Sequence, residues 1–274
     1  MKIWTSVFFC ITISFAQIPD ANDTDACKMC TSDYRKSHHF SKAGKCRECL
    51  FKIYDQLSRD FPGNGNKEIY CGCPIHWNET ERVHFNENDA ECTYQTPEPI
   101  LRNGKKDSKI DIEHVVPKSR FRQDNFYSND FRIMFPAIRR INVARNTKEF
   151  CQRKTDKMMK CLEDVEMDSI GDGIPKHDGQ GLYRYGACKT TISVGVIFPR
   201  DEVKGEIGRA YLYMDSIGAL KNDPLDFGEK EMFMRWHESD PPDAIECKRE
   251  RIISDIQGGH NTYISKHPAC MNEK

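Results

Sequence analysis

The chain has 274 residues, of which 38% are hydrophobic and 10% aromatic, and its formal net charge is −1. A chain of this length can bury a sizeable core, and its aromatic content argues against global disorder. No apolar run approaches the ~20 residues that a membrane-spanning helix needs, and the total charge gives no indication of a nucleic-acid partner.

The first sixteen residues have the pattern of a secretory signal peptide. Lys2 supplies a positive charge, residues 3–15 are mostly apolar, and Ser14-Phe15-Ala16 offers a small-x-small cleavage site. We therefore assign residues 1–16 to an export signal, with a buried N-terminal strand as the alternative, and expect a secreted protein, or a periplasmic one in a bacterial host. Twelve cysteines remain after Cys10 is removed, and an even number in an oxidising compartment favours disulfides.

Residues 17–66 form a cysteine-rich leader with two Cys-x-x-Cys pairs, Cys27/Cys30 and Cys46/Cys49. The spacing of the pairs also fits a structural zinc site. After a signal peptide, we favour two disulfides that staple a helical hairpin over zinc. Apolar residues recur at helical spacing over residues 50–57, and the Gly- and Asn-rich stretch 61–66 indicates a loop and a domain boundary.

The chain beyond this boundary mixes strand and helix patterns. Residues 68–94 are typical of short strands and turns, and residues 190–198 of a strand. Three helices are predicted, over residues 204–219, 227–238 and 243–257. This order predicts an α+β fold over residues 67–274, because strands and helices do not alternate as they do in βαβ units.

The nearly neutral total conceals a basic tract over residues 101–160, which holds 16 Lys and Arg against 7 Asp and Glu. Such a tract is either a solvated helix face or a groove that follows a nucleic-acid backbone. Contacts to phosphate carry no sequence information, so a groove of this kind implies low sequence specificity.

Within the tract, Glu113 and His114 stand at the end of a predicted short strand, just before Pro117. Cleavage of a phosphodiester needs a base to activate water, a metal ion to neutralise developing charge, and cations that hold the backbone. A histidine beside a carboxylate supplies the base and one metal ligand. A hard cation also needs a further Asn or Asp nearby, and Asp111 lies on the same strand face as Glu113. Taken alone, the pair is more typical of a surface or satisfied core histidine, and its position in the basic tract before Pro117 favours the catalytic interpretation.

The segment Glu113-His114-Val115-Val116-Pro117 resembles the signature of bacterial endonuclease I, a family of secreted or periplasmic nucleases of the His-Me finger (ββα-metal) class. The resemblance extends over about residues 65–270. It is carried, in order along the chain, by Ile69–Cys73, Phe135–Ile138, Asn142, Arg145, Tyr185–Cys188, Gly208–Met214, Glu246-Cys247 and Gln257–Asn261.

The resemblance implies a ββα-metal core with surrounding helices and a role for each matching residue. His114 is the implied general base, and Glu113 and Asn142 are the implied ligands of one divalent metal, Mg²⁺ or else Ca²⁺ or Mn²⁺. In the family, water attacks phosphorus while the metal stabilises the departing 3′ oxygen, which leaves 5′-phosphate ends. We expect a monomer that acts on DNA, with RNA as the alternative substrate.

Three departures from the family pattern keep a second function open. Phe131-Arg132-Ile133-Met134 replaces Leu-His-Asn-Leu, and Val143-Ala144 replaces Gly-Asp after Asn142. The loop after Pro117 lacks the family's insert with a phosphate-contacting arginine. Arg120 and Arg145 are the predicted replacements, with Arg122 a further candidate. The alternative function is a secreted nucleic-acid-binding protein on the same fold, with weak or no catalysis.

Overall fold

The computed structural model describes residues 27, 30, 40–78, 82–85, 101–102, 105–106, 110–121, 125–151, 174–175, 182–183, 190–192, 196–220 and 223–271. The predicted signal peptide, Arg122 and residues 152–160 at the end of the basic tract lie outside the described residues.

The described strands are short and form small sheets. The strands are β1 Ile75–Asn78, β2 Arg82–Phe85, β3 Leu101–Arg102, β4 Lys105–Lys106, β5 Ile110–His114, β6 Met134–Ile138, β7 Glu149–Phe150, β8 Ile174–Pro175, β9 Leu182–Tyr183, β10 Thr191–Ile192 and β11 Val196–Phe198. Strands β1 and β2, β3 and β4, β5 and β6, and β8 and β9 pair antiparallel, whereas β11 pairs antiparallel with β10 and parallel with β7.

The long described helices lie near the start of the chain and over residues 204–257. They are α1 Phe40–Asp60, α2 Asn125–Ser128, α3 Arg139–Arg145, α4 Lys204–Ser216, α5 Phe227–Ser239, α6 Ala244–Gln257, α7 Thr262–Ser265 and α8 Pro268–Met271. Short 3₁₀ turns cover Lys118–Phe121, Phe131–Ile133 and Asp201–Val203. Among the described residues, no helix combines the length and apolar character needed to cross a membrane. The predicted α+β character and the three predicted C-terminal helices are confirmed.

Local sequence explains where these C-terminal helices begin and end. Asp226 caps α5 in a capping box with Glu229, and Asp243 accepts the backbone N–H of Glu246 at the start of α6. Gly258 ends α6 at φ 71°, a conformation that favours glycine. Helices α4 and α5 approach closely at Gly208, where a Cβ atom would lie 2.8 Å from the Phe233 carbonyl oxygen.

Within the cysteine-rich leader, the disulfides Cys27–Cys49 and Cys30–Cys46 join the first Cys-x-x-Cys pair to the first half of α1. The predicted disulfides are therefore confirmed, and these four sulfurs are not free thiolates that could hold zinc. The apolar stripe predicted for residues 50–57 is also present, since Leu50, Ile53 and Leu57 are completely buried.

One hydrophobic cluster crosses the predicted boundary at residue 66. The buried side chains of α1 belong to the same cluster as β5, β6 and helices α4 to α6. Arg47 of α1 also donates to the carbonyl of Ile110 at 3.1 Å and pairs with Asp111 at 3.1 Å, so α1 contacts the start of β5 directly. The domain limits stay a prediction, but this helix packs as part of the body.

We predict that the double substitution Cys30→Ser with Cys46→Ser lowers the free energy of unfolding by about 2–4 kcal/mol, because the unfolded chain regains the entropy of an open loop. Urea unfolding under oxidising conditions measures the loss. The wild-type protein unfolded in reducing buffer shows the limit in which every bridge is open. An unchanged urea midpoint would contradict the view that this bridge stabilises the fold.

Candidate active site

The candidate site is built on the hairpin of β5 and β6 and on helix α3. The two strands pair in the register Glu113 opposite Phe135 and His114 opposite Met134, and β6 runs directly into α3. Glu113 and His114 end β5, while Asn142 lies in the middle of α3, which packs against β5. The three residues predicted to act together are thus placed by one strand–strand–helix unit.

The ring of His114 is oriented by the backbone of α2. Its Nε2 atom lies 3.0 Å from the carbonyl oxygen of Ser128, which can only accept. Nε2 therefore carries the hydrogen in the neutral ring, and Nδ1 is left with its lone pair. Burial lowers the pKa of His114 to about 3, and the charges of Lys118 and Arg145 act in the same direction. The imidazole is neutral at pH 7, the form that a general base requires.

The carboxylate of Glu113 is almost completely buried, with 2% of the residue exposed. Its Oε1 atom accepts a hydrogen bond from the Tyr70 hydroxyl at 2.6 Å and pairs with Arg145 Nη1 at 3.1 Å. Burial raises the pKa of Glu113, whereas Arg145 and the Tyr70 hydroxyl lower it. Burial is the larger effect, so the pKa of Glu113 lies above its ordinary value, and the two donors offset this only in part.

Asn142 contacts the same strand through its side-chain amide. Its Nδ2 atom donates to the carbonyl of Ile112 at 3.0 Å, which commits the amide nitrogen and leaves Oδ1 as an acceptor. A carboxylate and an amide oxygen are the ligands that Mg²⁺, Mn²⁺ and Ca²⁺ accept. Over the part of the chain that the structure describes, no three His, Cys, Asp or Glu side chains converge as a metal cage. The donor set thus fits a cation that keeps several waters.

Comparison with known proteins agrees with this geometry. The family model described as Endonuclease I matches residues 48–269 of the chain. The chain belongs to the endonuclease I family. It is thereby a nuclease, an enzyme of the hydrolase class. The match begins inside α1, so the family resemblance extends further towards the N-terminus than the sequence motifs indicated.

Individual relatives of this endonuclease I family member carry nuclease names. It is 26% identical to "Endonuclease-1" of Buchnera aphidicola subsp. Acyrthosiphon pisum (strain APS), covering 77% of each chain. It is 27% identical to "Extracellular deoxyribonuclease" of Aeromonas hydrophila, over 72% of this chain and 81% of the relative. It is 28% identical to "Extracellular ribonuclease" of Bacillus amyloliquefaciens, over 72% of this chain and 66% of the relative.

In this endonuclease I chain, Arg145 is placed beneath the candidate site and not on its surface. It is 1% exposed, and it donates to the carbonyl oxygens of His114 at 3.0 Å and Val115 at 2.6 Å while it pairs with Glu113. A guanidinium with these partners supports the end of β5. The predicted role of Arg145 as a phosphate clamp therefore does not fit its position, because a phosphate would have to displace buried contacts.

Arg120, the other predicted clamp, lies on the 3₁₀ turn that follows Pro117. Its Nε is 2.9 Å from Asp223 and its Nη2 is 3.1 Å from Glu229, and 14% of its side chain is exposed. Its charge is compensated by these two carboxylates, so a phosphate would compete with both of them. Asp111, considered as a further metal ligand, instead pairs with Arg47.

Arg132, which replaces a residue of the family pattern, is the centre of a buried network. Its guanidinium contacts Glu250 at 3.0 Å and Asp130 at 3.3 Å, and donates to the carbonyls of Gly258 at 3.2 Å and Gly259 at 2.7 Å. The network connects the 3₁₀ turn before β6 to the end of α6. This departure is therefore accommodated by structural partners away from Glu113.

Two residues that hold the site were missed at the sequence level. Tyr70 lies in a segment noted for its likeness to the family, yet its contact with Glu113 spans 43 positions. Ser128 contributes only its backbone carbonyl, which leaves no trace in residue type. Neither contact follows from periodicity or spacing, because both depend on how separate elements pack.

Proposed function

We propose that this protein is a secreted, metal-dependent endonuclease that hydrolyses phosphodiester bonds of DNA with low sequence specificity, with RNA as the second substrate to test. One observation carries the proposal. A neutral histidine with an unprotonated Nδ1 follows a buried carboxylate at the end of β5, and the side-chain amide of Asn142 on α3 donates to the carbonyl of Ile112, the residue before that carboxylate.

In this mechanism, Nδ1 of His114 accepts a proton from the water that attacks phosphorus. The Nε2–H bond to Ser128 keeps the ring in place and becomes stronger when the imidazole gains charge. Glu113 and Asn142 would hold the divalent metal, which supplies electrostatic stabilisation of the departing 3′ oxygen. Arg145 donates to the backbone carbonyls of His114 and Val115, and so fixes the positions of the base and the carboxylate relative to each other.

The strand–strand–helix order supports the finer assignment of the core to the ββα-metal, His-Me finger class. In that assignment β5 and β6 are the two strands and α3 is the helix that carries the second metal ligand. The unit is small, and its buried side chains belong to one hydrophobic cluster with α1 and helices α4 to α6.

The substrate and location rest on relatives and on the start of the sequence. Relatives carry the names extracellular deoxyribonuclease, periplasmic deoxyribonuclease and extracellular ribonuclease. Together with the predicted signal peptide, these names support a protein that acts outside the cytoplasm on either nucleic acid. Backbone contacts alone do not distinguish sequences, which is consistent with low specificity.

We predict that supercoiled plasmid is nicked in Mg²⁺, that EDTA abolishes nicking, and that excess Mg²⁺ restores it. Agarose electrophoresis follows the conversion to open circles, and end labelling reports whether the 5′ ends carry phosphate. Cleavage that persists in EDTA would contradict the metal requirement. A gel shift without cleavage at saturating Mg²⁺ would instead favour the alternative, a binding protein with lost catalysis.

A further inference from the structure

We propose that Tyr70 is a positioning residue for the metal site, acting through Glu113; the inference rests on the proposed function. Its hydroxyl donates to Oε1 of Glu113 at 2.6 Å, and both groups are buried. Arg145 contacts the same oxygen at 3.1 Å. Both side chains engage Oε1, and the backbone N–H of His114 also bonds the carboxylate, so its rotation is restricted. Neither side chain occupies Oε2.

Tyr70 is itself fixed by contacts that do not involve Glu113. Its backbone N–H donates to Glu68 at 3.1 Å, and its carbonyl accepts the hydroxyl of Thr190 at 2.6 Å. The preceding residue, Ile69, donates to Pro136 of β6 at 2.9 Å. The two cysteines that follow, Cys71 and Cys73, are both disulfide-bonded. The hydroxyl is therefore presented by a rigid segment joined to the hairpin that carries the site.

A carboxylate that binds metal gains affinity when neighbouring donors orient it before the metal arrives. Arg145 supplies a positive charge next to Glu113, and its guanidinium also donates to the carbonyls of His114 and Val115. Tyr70 supplies direction, because a single O–H bond restricts the rotation of the carboxylate about its last torsion. Without the hydroxyl, Glu113 keeps Arg145 and the backbone N–H of His114, and loses the one buried side-chain hydroxyl that orients it.

The test is Tyr70→Phe, which removes one oxygen and keeps the ring. We expect the dissociation constant for Mn²⁺, measured by calorimetry or paramagnetic resonance without DNA, to rise about 10–100-fold. In plasmid cleavage, the metal concentration for half-maximal rate rises in parallel, while the rate at saturating metal falls much less. A tyrosine that only supports the fold would not produce this separation.

Tyr213→Phe is the matched control. Tyr213 is also buried, and its hydroxyl donates to the carboxylate of Asp130 at 3.1 Å. That variant loses a comparable buried hydrogen bond and is expected to bind Mn²⁺ like the wild type. If Tyr70→Phe does not fold, a fluorinated tyrosine at position 70 changes the donor strength and keeps the hydroxyl, and its Mn²⁺ affinity must differ from that of the wild type.

Wild-type Mn²⁺ affinity in a folded Tyr70→Phe protein overturns the proposal, as does wild-type affinity in the fluorinated protein. Glu113→Gln separates this failure from failure of the proposed function. If Glu113→Gln loses Mn²⁺ binding and Tyr70→Phe does not, only the role of Tyr70 is wrong. If Glu113→Gln binds Mn²⁺ normally, Glu113 is not a ligand and the proposed metal site is wrong as well.

Discussion

Replacing His114 with alanine is expected to lower the rate of DNA cleavage at saturating Mg²⁺ by about 10²–10⁴-fold, the contribution of a positioned general base. The neutral imidazole, with Nε2 bound to Ser128, has its Nδ1 lone pair available for the attacking water. Alanine removes that lone pair and leaves Glu113 and Asn142 in place. Metal and DNA binding are therefore expected to be largely retained. Single-turnover cleavage and a gel shift in the same buffer measure the two properties separately.

The matched control for this substitution is His267→Ala. His267 lies between α7 and α8, where its Nδ1 accepts the backbone N–H of Ala269, and it makes no contact with β5 or α3 among the described residues. Its loss tests whether removal of any histidine impairs the enzyme. Normal cleavage by His114→Ala would show that another group activates water, and loss of DNA binding would indicate a structural defect.

The parts of the fold that the sequence predicted are those set by local signals. The three C-terminal helices follow the apolar period and start at residues such as Asp226 and Asp243, which satisfy the first free N–H groups. Likewise, Glu113, His114 and Asn142 were identified from residue type and the family motif. The structure places all three on one unit, since β6 continues without a loop into α3.

The burial of Arg132 and Arg145 could not be predicted from the sequence. Arg145 was predicted to contact phosphate, which requires an accessible guanidinium, and Arg132 was noted only as a departure from the family pattern. Both are buried, because each finds carboxylates and carbonyls supplied by distant segments: Arg145 reaches back to β5, and Arg132 reaches forward to Glu250, 118 positions away. Burial of a charge depends on such partners, and no local pattern records them.

The buried network around Arg132 is expected to contribute strongly to the stability of the fold. We expect Arg132→Met to lower the free energy of unfolding by about 3–5 kcal/mol, because removing one partner leaves the others buried without compensation. Asp130 is completely buried and Glu250 is 3% exposed, so neither carboxylate can turn to water. The carbonyls of Gly258 and Gly259 lose a donor as well. Urea unfolding followed by circular dichroism measures the loss.

Arg59→Met is the control, because Arg59 forms a solvent-exposed pair with Asp55 within α1. Such a pair contributes about 0.3–0.5 kcal/mol, so the two substitutions should differ several-fold in their effect. A second variant, Arg132→Met with Glu250→Gln, should recover part of the loss, since it removes one stranded charge. Equal destabilisation by Arg59→Met and Arg132→Met would contradict the network.

Asp130 also lies two residues from Ser128, whose carbonyl orients His114. Loosening this turn is therefore expected to reduce cleavage in the fraction of Arg132→Met that remains folded, which connects the departure at Arg132 to catalysis through the backbone and not through the metal site.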